Sequence, residues 1–461
     1  MTALAGGMGN SSNAPAPSIR DLVVRGAFWT VIGFGGAQIL RFAFNLVLTR
    51  LLVPELFGLI ALGFTVITGI NLFSEFGTLA IVVSDPRGAN PEFLNTVWTV
   101  QIVRGFGLAL VSYLIASPVA SFYKEPRLHW LIPAIGLSSI IMGFNATTFL
   151  VLRRQMRVKQ LVILELGAQA ISGAVMLIWA WISPGLAALV AGTFVSAGVR
   201  LIWGYSIKPR IPHRLALNRG ALRVLLNFGR WLWVAAILGY LASQIDRLIL
   251  GKVVTLEMLG IYGIALAISE LPRALLGALS SNIVFPAYSK WSASARSEYR
   301  DRIRRLRWPL LAAAGAVVAA LTVGGDVVIR LLYDRRYAPA SWMLPLLAFG
   351  IWPSALYQTI EGALVTVGQP RYGAYGNLSK IIFTAAAIPL GFLWGGVAGA
   401  VLVVALNDLP ACGPVGYGLW RERLSNFSQD LQATALLILV LVLLLAARLL
   451  LGFGLPFHGL A

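Results

Sequence analysis

Along this 461-residue chain the apolar positions come in runs of about 18 residues or more, set apart by short polar stretches rich in Arg and Lys. The runs lack the two-residue alternation of a membrane barrel, and an open sheet cannot cross lipid because its edge would leave backbone groups unpaired. The pattern predicts an all-α polytopic membrane protein. Thirteen spans are expected, at 27–49, 56–83, 96–122, 128–151, 161–182, 186–206, 228–251, 259–286, 309–332, 342–367, 374–394, 396–419 and 431–453.

Charge changes this picture by orienting it. The basic residues of the connections alternate, loop by loop, 22 against 6, as they do when Lys and Arg are held on the cytoplasmic side. The N-terminus is therefore expected in the cytoplasm, with the basic loops 207–227 and 287–308 on the same side. The net charge of +19 follows from that bias and does not call for a nucleic acid partner. Residues 1–19 are Gly/Ser/Asn/Pro-rich and expected to be disordered, without the apolar core of a cleaved leader; the first span is expected to act as the targeting signal.

Six spans precede loop 207–227, so the chain reads as two six-helix halves. At an offset of 202, Trp29 meets Trp231, Arg50 meets Lys252, Glu55 meets Glu257 and Gly58 meets Gly260. Six spans per half put both halves in the same orientation, which makes the repeat parallel. The expected organisation is a disordered tail (1–19), an N-terminal six-helix bundle (20–206), a basic linker (207–227), a C-terminal six-helix bundle (228–420) and an extra C-terminal helix with its tail (421–461).

Polar residues recur at helical spacing inside these spans, where an ionisable group costs about 2.5–3.5 kcal/mol if it faces lipid. Span 1 carries Gln38, Arg41 and Asn45; span 2 carries Thr68, Asn71 and Glu75. Span 7 carries Tyr240, Ser243, Gln244 and Arg247 beside Asp246, about 10 Å below the helix end. Span 8 carries Ser269, Glu270 and Arg273, with Pro272 expected to kink it. The pattern predicts a central cavity lined by spans 1, 2, 7 and 8. Arg41, Arg247 and Arg273 would draw an anion, phosphate above all, because the guanidinium fork donates in pairs. Gln38, Asn45, Asn71, Tyr240 and Gln244 suit sugar hydroxyls. Glu75, Asp246, Glu270 and Asp408 are the candidates for a coupling Na⁺ or H⁺. Arg104 either joins the cavity or snorkels to the cytoplasmic surface; Glu361 and Lys380 form either part of it or a buried structural pair.

One cysteine, Cys412, and three dispersed histidines rule out an internal disulfide and a metal-ligand motif, and no phosphate-binding loop, nucleophile elbow or HExxH occurs. No cofactor and no catalytic residue are expected.

The stretch RLLVPELFGL (50–59), followed by SEFG (74–77), resembles the opening of the polysaccharide transporter family, Wzx-like flippases of the multidrug/oligosaccharidyl-lipid/polysaccharide superfamily. DRLILGK (246–252), LGIYGIA (259–265) and ELP (270–272) continue the likeness, which covers roughly residues 20–420. The resemblance implies two bundles around a central cavity that rock in alternating access. It implies transfer of an undecaprenyl-pyrophosphate-linked oligosaccharide to the outer leaflet of a bacterial inner membrane, for exopolysaccharide, capsule or O-antigen. Lipid and other polysaccharide-assembly proteins would be its partners. Family members usually have twelve or fourteen spans, so the thirteenth here leaves two options: it crosses and puts the C-terminus outside, or lies on the surface or in a hairpin and leaves it inside. The competing readings are a cation-coupled drug or metabolite exporter, a lipid II flippase and a membrane polymerase. The Arg stripes disfavour the first, and the short outer loops disfavour the last.

Overall fold

The computed structural model describes residues 19–73, 78, 81–82, 88, 90–155, 157–207 and 213–457, with backbone alone for 19–28, 31, 73 and 223–236. The tail expected to be disordered lies, up to residue 18, outside the described residues, as does Glu75. The described residues form helices and no strands.

The N-terminal half holds α1 (Ile19–Leu51), α2 (Pro54–Phe73), α3 (Pro91–Tyr123), α4 (Leu128–Gly143), α5 (Thr148–Arg154), α6 (Val158–Ile182) and α7 (Leu186–Ser206). The rest holds α8 (Arg219–Val253), α9 (Leu256–Leu279), α10 (Phe285–Trp291), α11 (Arg296–Leu332), α12 (Ala340–Phe349), α13 (Ile351–Thr366), α14 (Arg371–Ala405), α15 (Leu409–Arg421) and α16 (Phe427–Leu450).

Three of the described α-helices begin where the sequence supplies a side-chain cap. Asn90 Oδ1 accepts from the Glu92 N–H at 3.0 Å, with Pro91 at the first helical position of α3. Asn218 caps α8 through the N–H groups of Gly220 and Ala221, and Thr255 caps α9 through Met258. Inside α14 the chain reverses at Gly395 and Gly396, whose φ of +56° is a left-handed conformation open to glycine. Gly391 and Gly399 then meet so closely that a Cβ on Gly399 would lie 2.0 Å from the Gly391 carbonyl oxygen.

The described residues of all thirteen predicted spans fall largely on helices; part of the second, at 74–77, 79–80 and 83, lies outside the described residues. Among the described residues ten stretches are long and apolar enough to cross a membrane, and the pair α4–α5, bent by 67°, makes an eleventh. One of the ten, Arg371–Arg421, contains the Gly395–Gly396 reversal and so holds two predicted spans; α8 is the predicted seventh. Large apolar side chains such as Trp394 (92% exposed) and Leu450 (89%) stand on the surface, as they do where lipid is the solvent. Pro272 does not interrupt α9; the helical register changes eight residues later, in a π turn at Ser280–Val284. The ring is accommodated because a spanning helix can re-satisfy the freed carbonyl locally.

α16 is long and apolar enough to cross a membrane and is clamped to α11 at both ends. Asp430 near its start pairs with Arg307 of α11 at 2.5 Å, and Arg448 near its end holds Asp326 of α11 through two bonds of 2.7 and 2.5 Å. The eighteen residue steps from Asp430 to Arg448 rise about 27 Å, close to the hydrocarbon thickness of about 30 Å. α16 therefore runs parallel to α11 and emerges at the end opposite the basic loops. Of the two options the sequence leaves open, this length and packing fit the crossing.

The largest apolar cluster, from Leu48, Leu52, Leu59 and Leu62 to Leu250, Leu259, Ile261, Tyr262 and Tyr337, joins both halves at the end away from the basic loops. Near the basic end the clusters are smaller: one gathers around Phe93, Leu94 and Val97 with Ala221, the other around Tyr288, Tyr299 and Ile303. The halves thus share their main core at the far end and enclose polar space below it.

Candidate functional site

That space is a cavity of about 760 Å³. α1 contributes Gln38, Arg41 and Asn45, α2 contributes Thr68 and Asn71, and α4 contributes Ser138 and Ser139. α6 adds Gln169 and Ser172, and α7 adds Thr193, Ser196 and Arg200. The other half contributes Tyr333 and one stretch of α9, Ala267–Leu271, in which Glu270 is the only acid among the lining residues. A second cavity of about 290 Å³ is lined by Gln244 and Arg247 of α8, with Gly260 and Gly263 of α9. The two share Asn45, Phe57, Ile60, Phe64 and Thr68 as walls. Gln38, Arg41, Asn45 and Asn71 are thus brought together, and Gln244 and Arg247 sit in the adjoining space.

The guanidinium groups sort into two kinds. Several that do not line the cavities are matched by carboxylates: Arg307 with Asp430, Arg448 with Asp326, and Arg273 with Glu270 at 2.8 Å and Asp408 at 3.3 Å. Those that line the cavities have no acid partner among the described residues. Arg41 has no ion pair, and Arg200 has a buried Nε without an acceptor. Arg247 donates to the neutral Gln244 Oε1 at 2.8 Å. Arg41 is exposed to the cavity and Arg200 and Arg247 are half-buried, so all three can be reached by an anion from outside the protein that would complete the charge.

The remaining predicted residues are placed elsewhere. Asp246 turns away from Arg247, as neighbours on a helix must, and accepts from the hydroxyl of the buried Tyr262. Tyr240 is buried and donates to the Thr65 carbonyl, fixing α8 to α2 rather than lining either cavity. Arg273 and Asp408 belong to a closed network in the second half, where Asp408 also takes Lys380 at 2.6 Å. Lys380 is therefore paired with Asp408 and not with Glu361. Arg104 donates to the Asn71 carbonyl at 2.9 Å and ties α3 to α2.

Sequence reasoning missed Gln169, Ser172, Thr193, Ser196 and Arg200. Thr193, Ser196 and Arg200 are spaced three and four apart and so share a helix face; the signal was present in a Gly/Ser-rich helix whose hydroxyls read as helix–helix contacts.

At the far end the halves are latched. Arg336, beyond α11, donates to the carbonyls of Thr49 and Arg50 at the end of α1, both at 3.1 Å, and is held by Asp334 Oδ2 at 3.0 Å from its Nε. Lys252, at the end of α8, donates to the Phe122 carbonyl at the end of α3 and lies 4.5 Å from the Phe122 ring centre. Tyr123 adds a bond of 3.0 Å to the Leu248 carbonyl. In both places a cation caps the free carbonyls at a helix C-terminus in the other half. The Arg336 side chain holds the Asp334 carboxyl below its usual range, and Arg127 does the same to Glu125.

The family model described as "Polysaccharide biosynthesis protein" matches residues 47–341, more than half of the chain. The chain belongs to this family. Among curated relatives it is 21% identical over 399 residues to the lipopolysaccharide biosynthesis protein WzxC of Escherichia coli, covering 84% of this chain and 78% of that protein. It is 22% identical over 402 residues to the succinoglycan biosynthesis transport protein ExoT of Rhizobium meliloti, covering 86% and 79%. In fold it is similar to the lipid II flippase MurJ in an inward closed conformation, with a TM-score of 0.70 at 13% identity over 90% of this chain and 91% of that one. It is also similar to an inward-facing multidrug resistance MATE family transporter, with a TM-score of 0.66 at 13% identity over 84% and 94%. This family member thus has the fold of known membrane transporters.

Proposed function

We propose that the protein is a flippase for surface-polysaccharide biosynthesis and carries a lipid-linked oligosaccharide, through its pyrophosphate and sugars, from the cytoplasmic to the outer leaflet of a bacterial inner membrane. It is a transporter and not a catalyst. The observation that carries this reading is the cavity lining: Arg41 and Arg200 without acid partners, among amides and hydroxyls, with Arg247 in the adjoining space. Such a lining suits a polyanion with many hydroxyls and does not favour a lipophilic cation. The names of WzxC and ExoT, linked to surface polysaccharides, support the same substrate class.

The basic end faces the cytoplasm, by the charge bias of the loops. With the far end latched, this conformation is the one that would load from the cytoplasm. The halves are two parallel bundles related by a pseudo-two-fold axis, a reading supported by the reciprocal contact of Gly58 and Gly260. Of the acids considered for a coupling Na⁺ or H⁺, Glu270 and Asp408 already have Arg273 and Lys380 as partners. Asp246, bound to a neutral hydroxyl, is the better candidate among the described residues.

Deletion in the source organism tests the proposal. Loss of surface polymer with accumulation of lipid-linked oligosaccharide on the cytoplasmic leaflet, restored by the gene on a plasmid, is the expected result. Accumulation on the outer leaflet would assign the protein to a later step and contradict the proposal.

A further inference from the structure

The three unmatched guanidiniums do not lie at one depth. Counting 1.5 Å per residue from the far ends of their helices, Arg247 is about 9 Å in from Val253, Arg41 about 15 Å in from Leu51 and Arg200 about 21 Å in from Leu186. They also stand in sequence across the two cavities. Arg200 and Arg41 line the larger one, and Arg247 lines the smaller one beyond the shared walls Phe57 and Phe64. The glycines matter here: Gly260 and Gly263 line the smaller cavity with no side chain to fill it. Along the helix axes successive guanidiniums are offset by about 6 Å, roughly one helical turn, so each is the next cation met on the way to the far end.

We infer that Arg200, Arg41 and Arg247 form a ladder of successive anion subsites, along which the phosphate group of the substrate climbs from the loading cavity to the latched end. Arg200 captures the phosphate first. Arg41 holds it in the loaded state. Arg247 receives it past Phe57 and Phe64 once the Arg336 and Lys252 contacts open. This inference rests on the flippase reading and adds to it an order of steps and a subsite at Arg200. It predicts that the three arginines, though chemically alike, govern different kinetic steps.

The experiment uses the full chain in proteoliposomes, with a fluorescent short-chain polyprenyl pyrophosphate as probe. Transport is measured for Arg200→Gln, Arg41→Gln and Arg247→Gln, each beside its Lys variant, which keeps the charge and reports whether the fold tolerates the site. Arg200→Gln is expected to raise KM about tenfold, the loss of one charge-assisted contact, with kcat little changed. Arg247→Gln is expected to lower kcat about tenfold with KM little changed, and Arg41→Gln to alter both. The Lys variants recover part of each loss. If all three Gln variants shift KM and kcat by the same factors, the arginines act as one charge field: the ladder is overturned while the anion site stands. If none of them changes transport of the probe, the ladder and the anion-binding reading fall together.

Discussion

Gly58 of α2 and Gly260 of α9 face each other so closely that neither has room for a side chain. A Cβ on Gly58 would lie 2.0 Å from the carbonyl oxygen of Leu256, and a Cβ on Gly260 would lie 1.9 Å from that of Pro54. Each glycine thus meets the residue four before its partner, and Gly58 and Gly260, like Pro54 and Leu256, are 202 positions apart in the chain. The contact is the crossing point of the two halves. Gly58→Ala and Gly260→Ala should each destabilise the protein by about 1–3 kcal/mol, because backbone must move to admit the methyl group. A lowered thermal midpoint in detergent for both variants is expected; unaltered midpoints would show that the helices do not cross this closely.

The far-end latch gives a second prediction. Replacing both Arg336 and Lys252 by Ala removes the cations that cap α1 and α3 across the halves. The far end should then open more often, and a cysteine placed at Asn45 should react faster with a membrane-impermeant thiol reagent added from that side. An unchanged rate would mean that the apolar core alone holds the end shut.

Acid should act on the same latch. The Asp334 carboxyl is held below its usual range by Arg336, so the contribution of this pair is fully present above the unfolded carboxylate pKa. It is lost as pH falls through the depressed folded value. Normalised at each pH to the reactivity of a free thiol, which falls with its thiolate fraction, the labelling rate should therefore be flat from neutral pH down to the ordinary carboxylate range and rise only below it, and Asp334→Asn should remove most of that rise. A rise centred near pH 6 to 7 would point to a histidine instead.

The clamps on α16 predict both stability and topology. Asp326→Ala would leave the Arg448 guanidinium, 8% exposed, without its carboxylate, at a cost of about 3–5 kcal/mol. Asp430→Ala should act similarly through Arg307, which is fully buried. A reporter fused after residue 450 should be found on the side opposite the basic loops. Recovery of the reporter on the basic side would refute the crossing.

Much of this architecture was legible in the sequence. Thirteen apolar runs could be read because a span needs length and apolarity, and both are local. Gln38, Arg41 and Asn45 could be read as a cavity stripe because helical spacing puts them on one face. Pairing was not legible. Arg273 and Asp408 are 135 positions apart, and nothing local says that one neutralises the other while Arg41 stays unmatched. The lining is decided in the same way: besides residues of the predicted spans 1, 2, 7 and 8, the two cavities take polar residues from α4, α6 and α7. Arg200 shows the remaining gap: its spacing was visible, but which face of α7 looks inward is decided by packing against α6 and α4.

The central claim is that unmatched guanidiniums in this cavity carry an anionic lipid head across the membrane. Its most direct test is leaflet-resolved transport of a lipid-linked oligosaccharide in proteoliposomes, comparing the native chain with Arg41→Ala at equal incorporation. The account predicts rapid transfer by the native chain and a loss of about tenfold or more in the variant, as expected for one charged hydrogen-bonding partner removed. Equal transfer by both, or none above protein-free liposomes, would contradict it.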